Sequence, residues 1–238
     1  MSATADCTKP AFPYSSKVDF PKLQYLQSLY LGAGSRPGKA FEDAVQGSLP
    51  PDALDTFTGL STIDQLLRFC QHQRRGDHDF DIVIAARSAY QHRLLCLPHW
   101  HELDGADQRR CSWSVYETCL GTARLYSTAV IFSMPVESRW HLKRLADLKE
   151  VLQASILLGS ERETPPWVLW ALVVGGIASF RTNYRRFFED KLRTAVKAAQ
   201  IMSWEELKQL IEGFIWSDIA CGQGAMVLWD AISPHWQQ

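Results

Sequence analysis

Apolar residues recur every three or four positions along most of this chain, and this spacing constrains the fold more than any other feature. The clearest example is a stripe at i, i+3, i+4, i+7 and i+8, formed by Leu207, Leu210, Ile211, Phe214 and Ile215. No segment shows the apolar and polar alternation of a half-buried strand. The sequence therefore predicts an all-α protein, a single irregular bundle of about seven or eight helices.

Short polar motifs indicate where several helices begin. Ser203 and Glu206 have the spacing of a capping box, and so do Ser114 and Glu117. The pair Ser61-Thr62 is a further candidate cap. We expect the stripe behind Ser203 to face the core, while the intervening polar side chains face water: Glu205, Lys208, Gln209 and Glu212.

The chain divides at about residue 50. Residues 1–50 are polar, contain Pro10 and Pro13, and are interrupted by the segment GAGSRPGKA. They predict a loosely ordered N-terminal segment with one short helix over residues 22–31. Residues 51–238 are predicted to form the helical, regulatory-type domain.

The strongest apolar run covers residues 167–180 and contains Gly175-Gly176. Its 14 residues are too few for a membrane span, which needs about 20. We interpret it as a buried core helix whose glycines let neighbouring helices approach closely. Five tryptophans on or beside apolar stripes are predicted to be core residues: Trp167, Trp170, Trp204, Trp216 and Trp229.

The cysteine pattern favours reduced thiols in an intracellular protein. The six cysteines are irregularly spaced without a C-x-x-C pair: Cys7, Cys70, Cys96, Cys111, Cys119 and Cys221. No apolar segment typical of a secretory signal occurs near residue 1. Cys70 and Cys96 lie in apolar runs and are expected to be buried. We therefore predict no metal site and no cofactor.

Three candidate reactive motifs have more ordinary interpretations. In GAGSRPGKA, Ala40 stands where a phosphate loop needs Ser or Thr, so a linker is favoured. The metal-ligand types in the segment HWHELDGADQRR lack ligand spacing and predict a solvated loop: His99, His101, Glu102 and Asp104. Cys221 has no recognisable base and is expected to be a packing residue. No catalytic residue is predicted, and the chain is not expected to be an enzyme.

The charge pattern argues against sequence-specific DNA binding. The formal net charge is −1. One basic stretch is interrupted by Glu189 and Asp190, which predicts a solvated, ion-paired face: Arg181, Arg185, Arg186, Lys191, Arg193 and Lys197. We expect only weak, salt-sensitive contact with DNA.

The carboxy-terminal half resembles the regulatory domain of fungal zinc binuclear-cluster transcription factors. The similar motifs, in order, are LWALVVGGIAS, YRRFFEDKL and SWEELKQLIEGFIWSDIACGQGAMVLWDAI. The earlier YQHRLLCLP, YETCLGTARLYSTAVIFSMP and LKRLADLKEVL resemble the preceding helices of that domain. The resemblance covers residues 82–232. The six-cysteine DNA-binding cluster of the family is absent from this sequence, and no functional residue carries over.

The resemblance implies a transcription-factor-like regulatory protein that acts through a protein partner, without its own DNA reader. It implies a location in the nucleus, with the cytoplasm as the alternative, and control of a metabolic or secondary-metabolite pathway. Two other functions stay open: a small-molecule effector module with a tryptophan-lined pocket, and a helical enzyme. Three origins also stay open for the chain: a stand-alone protein, a fragment of a gene model and a remnant.

Overall fold

The computed structural model describes residues 20–31, 39–45, 47–73, 77–131, 135–158 and 164–233, and every regular element within these ranges is helical. The α-helices are α1 (Phe20–Leu31), α2 (Lys39–Val45), α3 (Pro51–Gln73), α4 (Asp77–Cys96), α5 (Gly105–Arg110), α6 (Trp113–Tyr126), α7 (Arg139–Leu158), α8 (Pro166–Ala178), α9 (Arg185–Ala198), α10 (Trp204–Ile211) and α11 (Asp218–Ile232). A 3-10 turn covers Trp100–Glu102, and a π-helical turn, Ser127–Ile131, continues α6.

The all-α class is confirmed, but the expected seven or eight helices are too few for the described ranges, which contain eleven. The difference comes partly from short helices. α2 has seven residues and α5 has six, so neither is long enough to repeat an apolar stripe over two turns. The segment HWHELDGADQRR, predicted to be a loop, contains both the 3-10 turn and α5.

Helix α8 is the centre of the fold. It contacts α2, α6, α7, α9, α10 and α11. Its thirteen residues are apolar around nearly the whole circumference, which is typical of a helix enclosed by others. None of the helices in the described ranges has the length and apolar character needed to cross a membrane.

Gly175 and Gly176 let two neighbours lie directly against α8. A Cβ atom on Gly175 would come 2.1 Å from the Phe188 ring of α9. A Cβ atom on Gly176 would come 2.5 Å from the Leu228 side chain of α11. Both distances are far below van der Waals contact, so the predicted close approach is confirmed.

The described part of residues 1–50 contains two packed helices, where the sequence predicted one short helix in a loose segment. α1 places Leu23 and Leu26 against α3 and α4, in a small second cluster of the core. α2 places Phe41 and Val45 in the main core beside α3 and α8. The burial of these side chains stabilises the two helices, because short isolated helices are marginal in water.

The predicted caps have different outcomes. Ser203 Oγ accepts a hydrogen bond from the Glu206 amide at 3.2 Å, as expected for the start of α10. The Glu206 carboxylate accepts from the Met202 amide at 2.7 Å, one residue earlier than a capping box requires. The box at Ser114 is wrong, since α6 begins at Trp113 and its N-cap is Ser112. The cap at Ser61-Thr62 is also wrong, because these residues lie inside α3.

The stripe behind Ser203 faces the core as predicted. Leu207 and Ile211 are buried within α10. The helix ends at Ile211, yet Phe214 and Ile215 remain only 2% and 1% exposed. The helical spacing thus predicted the correct face, although the chain leaves the helix before the last two residues.

Candidate functional site

A buried arginine links two helices, α4 and α6. Arg124 of α6 is 3% exposed, and its guanidinium lies at the C-terminal end of α4. It donates to the carbonyl oxygen of Leu97 at 2.6 Å, and to those of Leu94 and Leu95 at 3.5 Å. A helix C-terminus carries partial negative charge, so a cation is favourable there. Arg124 therefore fixes the end of α4 against α6.

His99 connects this arginine to a carboxylate. Arg124 Nη1 lies 3.1 Å from His99 Nε2, and His99 Nδ1 lies 3.5 Å from Glu117 Oε2. A guanidinium only donates, so His99 Nε2 accepts, and the Nδ1 proton points to Glu117. Glu117 also accepts from the Trp100 amide at 2.5 Å. Burial raises the pKa of the Glu117 carboxyl, but the hydrogen bonds from His99 and Trp100 more than offset this and lower the pKa below its ordinary value.

A small cavity between α6 and α7 adjoins this network. Its volume is about 50 Å³, and its wall includes Arg124, Arg144, His99, Glu117 and Asp147. Arg144 has no hydrogen-bond or ion-pair partner among the described residues. Burial and the positive charge of Arg124 lower the pKa of Arg144 to about 10, so Arg144 remains charged at neutral pH. The negative charge of Asp147 acts in the opposite direction on the pKa of Arg144, so the cavity wall combines two positive groups with two carboxylates, Glu117 and Asp147.

The polar residues of the segment 99–104 have structural contacts. Glu102 Oε2 accepts from the His99 amide at 2.8 Å, and Asp104 Oδ1 accepts from the Asp107 amide at 2.7 Å. His99 and His101 stack with their ring centroids 5.9 Å apart. Across the described ranges, no group of three His, Cys, Asp or Glu side chains is arranged to hold a metal ion. The candidate ligands are therefore used as caps and in the His99 network.

The thiols differ from one another in exposure. Cys70, Cys119 and Cys221 are buried, and burial raises the pKa of Cys119. Cys221 is fully buried, as expected for a packing residue. The expectation that Cys96 is buried is wrong, because this last residue of α4 is exposed. Its Sγ lies 3.7 Å from His92 Nδ1. Cys7 lies outside the described residues.

The segment resembling a phosphate loop lies mostly outside the described residues, which resume at Lys39. Lys39 begins α2, and its Nζ lies 2.6 Å from Asp43 Oδ1, one helical turn later. Ala40 packs close to Gly213, where an added Cβ would lie 2.5 Å from Ala40 Cβ.

An aromatic and basic surface surrounds the turn between α8 and α9. Phe180 is 47% exposed, and the guanidinium carbons of Arg181 and Arg185 lie 5.3 and 5.9 Å from its ring centroid. Beside this turn lies a groove of about 430 Å³ between Arg181 and the start of α7, with Pro135 and Leu142 in its wall. We use the name Phe180 surface for this groove together with Phe180, Arg181, Arg185, Pro135 and Leu142.

Three of the six residues of the basic stretch, Arg185, Arg186 and Arg193, are ion-paired as predicted. Arg185 Nε lies 2.5 Å from Glu189 Oε1, and Arg193 Nη1 lies 2.9 Å from Asp190 Oδ1. Arg186 is within 3.7 Å of the same aspartate. These carboxylates reduce the positive field of α9.

A second groove of about 430 Å³ lies between the first turn of α3 and the end of α4. Its wall contains Arg93 and four carboxylates: Asp52, Glu102, Asp104 and Asp107. Glu102 and Asp104 are already used as caps, and Arg93 pairs with Asp55 at 2.8 Å. The groove is acidic, and two of its four carboxylates, Glu102 and Asp104, have structural roles.

The tryptophans belong mainly to the core. Trp170 donates from Nε1 to the Ile215 carbonyl at 3.0 Å, and Trp216 donates to Asp218 at 2.9 Å. Trp167 and Trp229 are also buried, whereas Trp204 is half-buried. The two grooves and the cavity described in this subsection have no tryptophan in their walls, so none of them is the tryptophan-lined pocket of the effector hypothesis.

Sequence reasoning did not identify Arg124 and Arg144. A signal was present for Arg124, because a single arginine interrupts the apolar segment YETCLGTARLYSTAVIF. A charge in such a segment indicates a buried cation that needs partners. Arg144 has no comparable signal, since α7 also carries two exposed basic residues, Arg139 and Lys143, close to it in sequence.

Comparison with protein-family models, curated proteins and solved structures finds no match for this chain. The resemblance over residues 82–232 therefore stays a prediction.

Proposed function

We propose that this chain is a regulatory protein that acts by binding a protein partner through the Phe180 surface. The observation that carries the proposal is the position of Phe180, nearly half exposed and flanked by Arg181 and Arg185. Aromatic and arginine side chains provide most of the binding free energy in many protein interfaces. An exposed ring held by two cations is already ordered, so a partner loses little entropy in fixing it.

The adjacent groove can accommodate an apolar side chain of the partner. Pro135, Val136 and Leu142 supply apolar walls, while Arg181 and Glu137 lie at its polar part. A volume of about 430 Å³ accommodates one or two large side chains. The groove thus extends the contact area that Phe180 begins.

Charge selects the chemistry of the partner. Arg181 is exposed at the turn, and the wall of the groove contains a single carboxylate, Glu137. Complementary charge speeds association and excludes like-charged partners. We therefore propose a partner segment in which acidic residues surround one or two large apolar side chains.

The transcriptional part of the proposal rests on the resemblance of residues 82–232. In this part of the proposal, the chain regulates the transcription of metabolic or secondary-metabolite genes and is located in the nucleus or the cytoplasm. Another protein contacts the DNA. We favour binding over catalysis because both ring nitrogens of His99, the histidine beside Glu117, are engaged, one by Arg124 and the other by Glu117.

The test is a binding titration of the full chain with a fluorescent peptide of Asp, Glu, Leu and Phe residues. A second peptide with Lys in place of each acid is the charge control. We expect the acidic peptide to bind and the basic peptide not to bind. Phe180→Ala should raise the Kd at least about tenfold, the loss typical of an interface hot spot.

Met202→Ala is the matched control, since Met202 is 66% exposed but lies between α9 and α10. It should leave the Kd unchanged. Equal binding of both peptides, no binding of either, or equal weakening by the two substitutions would each contradict the proposal.

A further inference from the structure

We propose that the exposed side of α11 binds the same side of a second copy of this chain, with the two helices antiparallel. We use the name α11 face for its seven exposed residues: Ile219, Ala220, Gln223, Met226, Val227, Asp230 and Ala231. None of these residues belongs to the Phe180 surface, so this contact does not depend on the partner proposed there.

The α11 face is apolar where the outer side of a surface helix is ordinarily polar. Five of its seven residues are apolar, and one is charged. Ile219 is 60% exposed, and Met226 and Val227 are 43% and 45% exposed. At 3.6 residues per turn, the seven positions form one continuous stripe about 140° wide. The buried side of α11 packs on α8 and α9. A continuous apolar stripe left in water is typical of a protein contact site.

The order of side chains along the α11 face is self-complementary about Gln223. In an antiparallel pair with its twofold axis at this residue, positions equally far before and after it oppose each other. Ile219, four residues before, opposes Val227 of the partner subunit. Ala220, three residues before, opposes Met226 of the partner subunit, so the longest apolar side chain meets one of the smallest. A twofold interface needs this reciprocity, in which each residue of a contact pair occurs once on either subunit.

The charges favour the antiparallel direction. Asp230 lies seven residues after Gln223, about 10 Å along the helix, and the N-cap Ser217 lies six residues before it, about 9 Å. The antiparallel pair therefore places Asp230 beside the N-terminus of the opposing helix. This end carries partial positive charge and has no side-chain cap from Ser217. Lys208, 3.1 Å from Asp218, offsets the acidic side chain of the first turn. A parallel pair would instead bring the two Asp230 carboxylates together.

Other occupants fit the α11 face less well. Helices that lie on anionic membranes carry lysine or arginine along their polar border, and α11 contains neither. An unrelated protein segment would not require matching positions on both sides of Gln223. The second copy is the occupant that accounts for both the order of side chains and the position of Asp230.

Sedimentation velocity of the full chain over a concentration series tests the association. The monomer mass is 27.0 kDa. We expect a reversible shift towards twice this mass as the concentration rises to about 500 µM, because a contact between two single helices is small and weak. A single species of monomer mass throughout the series would overturn the proposal.

Two substitutions to lysine locate the contact. Val227→Lys should raise the Kd of the dimer at least about tenfold, because it brings an ammonium group into an apolar contact. Leu29→Lys makes the same charge change at an apolar position of α1 that is 50% exposed, and should leave the Kd unchanged. An unchanged Kd in the Val227 variant, or an equal loss in both variants, would place the contact elsewhere.

Oxidative cross-linking of Gln223→Cys tests the antiparallel register and does not depend on the lysine variants. The two new thiols would meet at the twofold axis, so copper-catalysed oxidation should link two chains on a non-reducing gel. Asp230→Cys is the matched control on the same face, since its two copies would lie about 20 Å apart along the pair, too far for a disulfide. The parent chain measures the background from native thiols such as the exposed Cys96. Linkage of Gln223→Cys no greater than that of Asp230→Cys or the parent would contradict the antiparallel pair.

Discussion

Replacing Phe214 by alanine should remove a large part of the folding stability of the chain. The ring is 2% exposed and lies just beyond the end of α10. It stacks on Trp170 with centroids 5.5 Å apart, and meets the edge of Phe41 at 5.4 Å. Phe214 thereby joins α2 and α8 to the segment that leads into α11.

The magnitude follows from the burial and from these two ring contacts. Deleting a fully buried phenylalanine side chain costs about 3–5 kcal/mol, including the cavity that it leaves. Each aromatic pair contributes about 0.5–1.5 kcal/mol beyond the buried area, which places Phe214→Ala towards the upper part of that range. A typical domain has about 5–15 kcal/mol in total, so the variant should be much weaker.

Urea denaturation measures the change in the free energy of unfolding, and Phe180→Ala provides a matched control. The same atoms are removed there, but Phe180 is 47% exposed. Its loss should cost about 1 kcal/mol or less, mainly the contacts with Arg181 and Arg185. Equal stability of Phe214→Ala and the parent would refute the assignment of Phe214 to the core.

Three further predictions concern other parts of the molecule. The folded state lowers the pKa of Glu117 below the ordinary glutamate value of 4.5, so the ionised carboxylate stabilises the folded state above pH 4.5. This stabilisation is lost as the pH falls through the folded-state pKa of Glu117. Between neutral and acidic pH, Glu117→Gln should therefore lose less free energy of unfolding than the parent, as measured by urea denaturation. Gly175→Ala should cost about 1–3 kcal/mol in the same assay, because the added methyl would overlap the Phe188 ring, and a parent-like stability would contradict this. Iodoacetamide should modify the exposed Cys96 of the native protein far faster than the buried Cys119, as read by peptide mass spectrometry; equal rates would contradict their assigned burial.

Helical periodicity predicted the elements that carry long stripes. It identified the buried run of α8 and the core face of α10 because both patterns extend over two or more turns. It missed α2 and mistook the segment that contains α5 for a loop, since such short helices are determined by tertiary contacts. Ser61 was mistaken for a cap because its polar side chain lies within a helix, where its hydroxyl donates to the Phe214 carbonyl at 3.4 Å.

The candidate sites were harder to predict because they join distant positions. Arg124 and Arg144 are twenty residues apart and belong to different helices. Glu117 has the spacing of a cap for Ser114, but its carboxylate instead binds His99 and the Trp100 amide. These contacts depend on how α6 packs against α4 and α7, and the spacing of residues along the sequence does not specify this packing. Cys96 was predicted to be buried because it lies in an apolar run. It is the last residue of α4, however, and its side chain is exposed.

Partner docking at the Phe180 surface is tested most directly by hydrogen exchange of the full chain, with and without the saturating acidic peptide. We expect slower exchange in residues 135–142 and 179–184, which form the groove and the turn between α8 and α9. Little change is expected in residues 99–107 beside the acidic groove. Slower exchange confined to residues 99–107, or no change at saturation, would contradict the assignment of this surface to a protein partner.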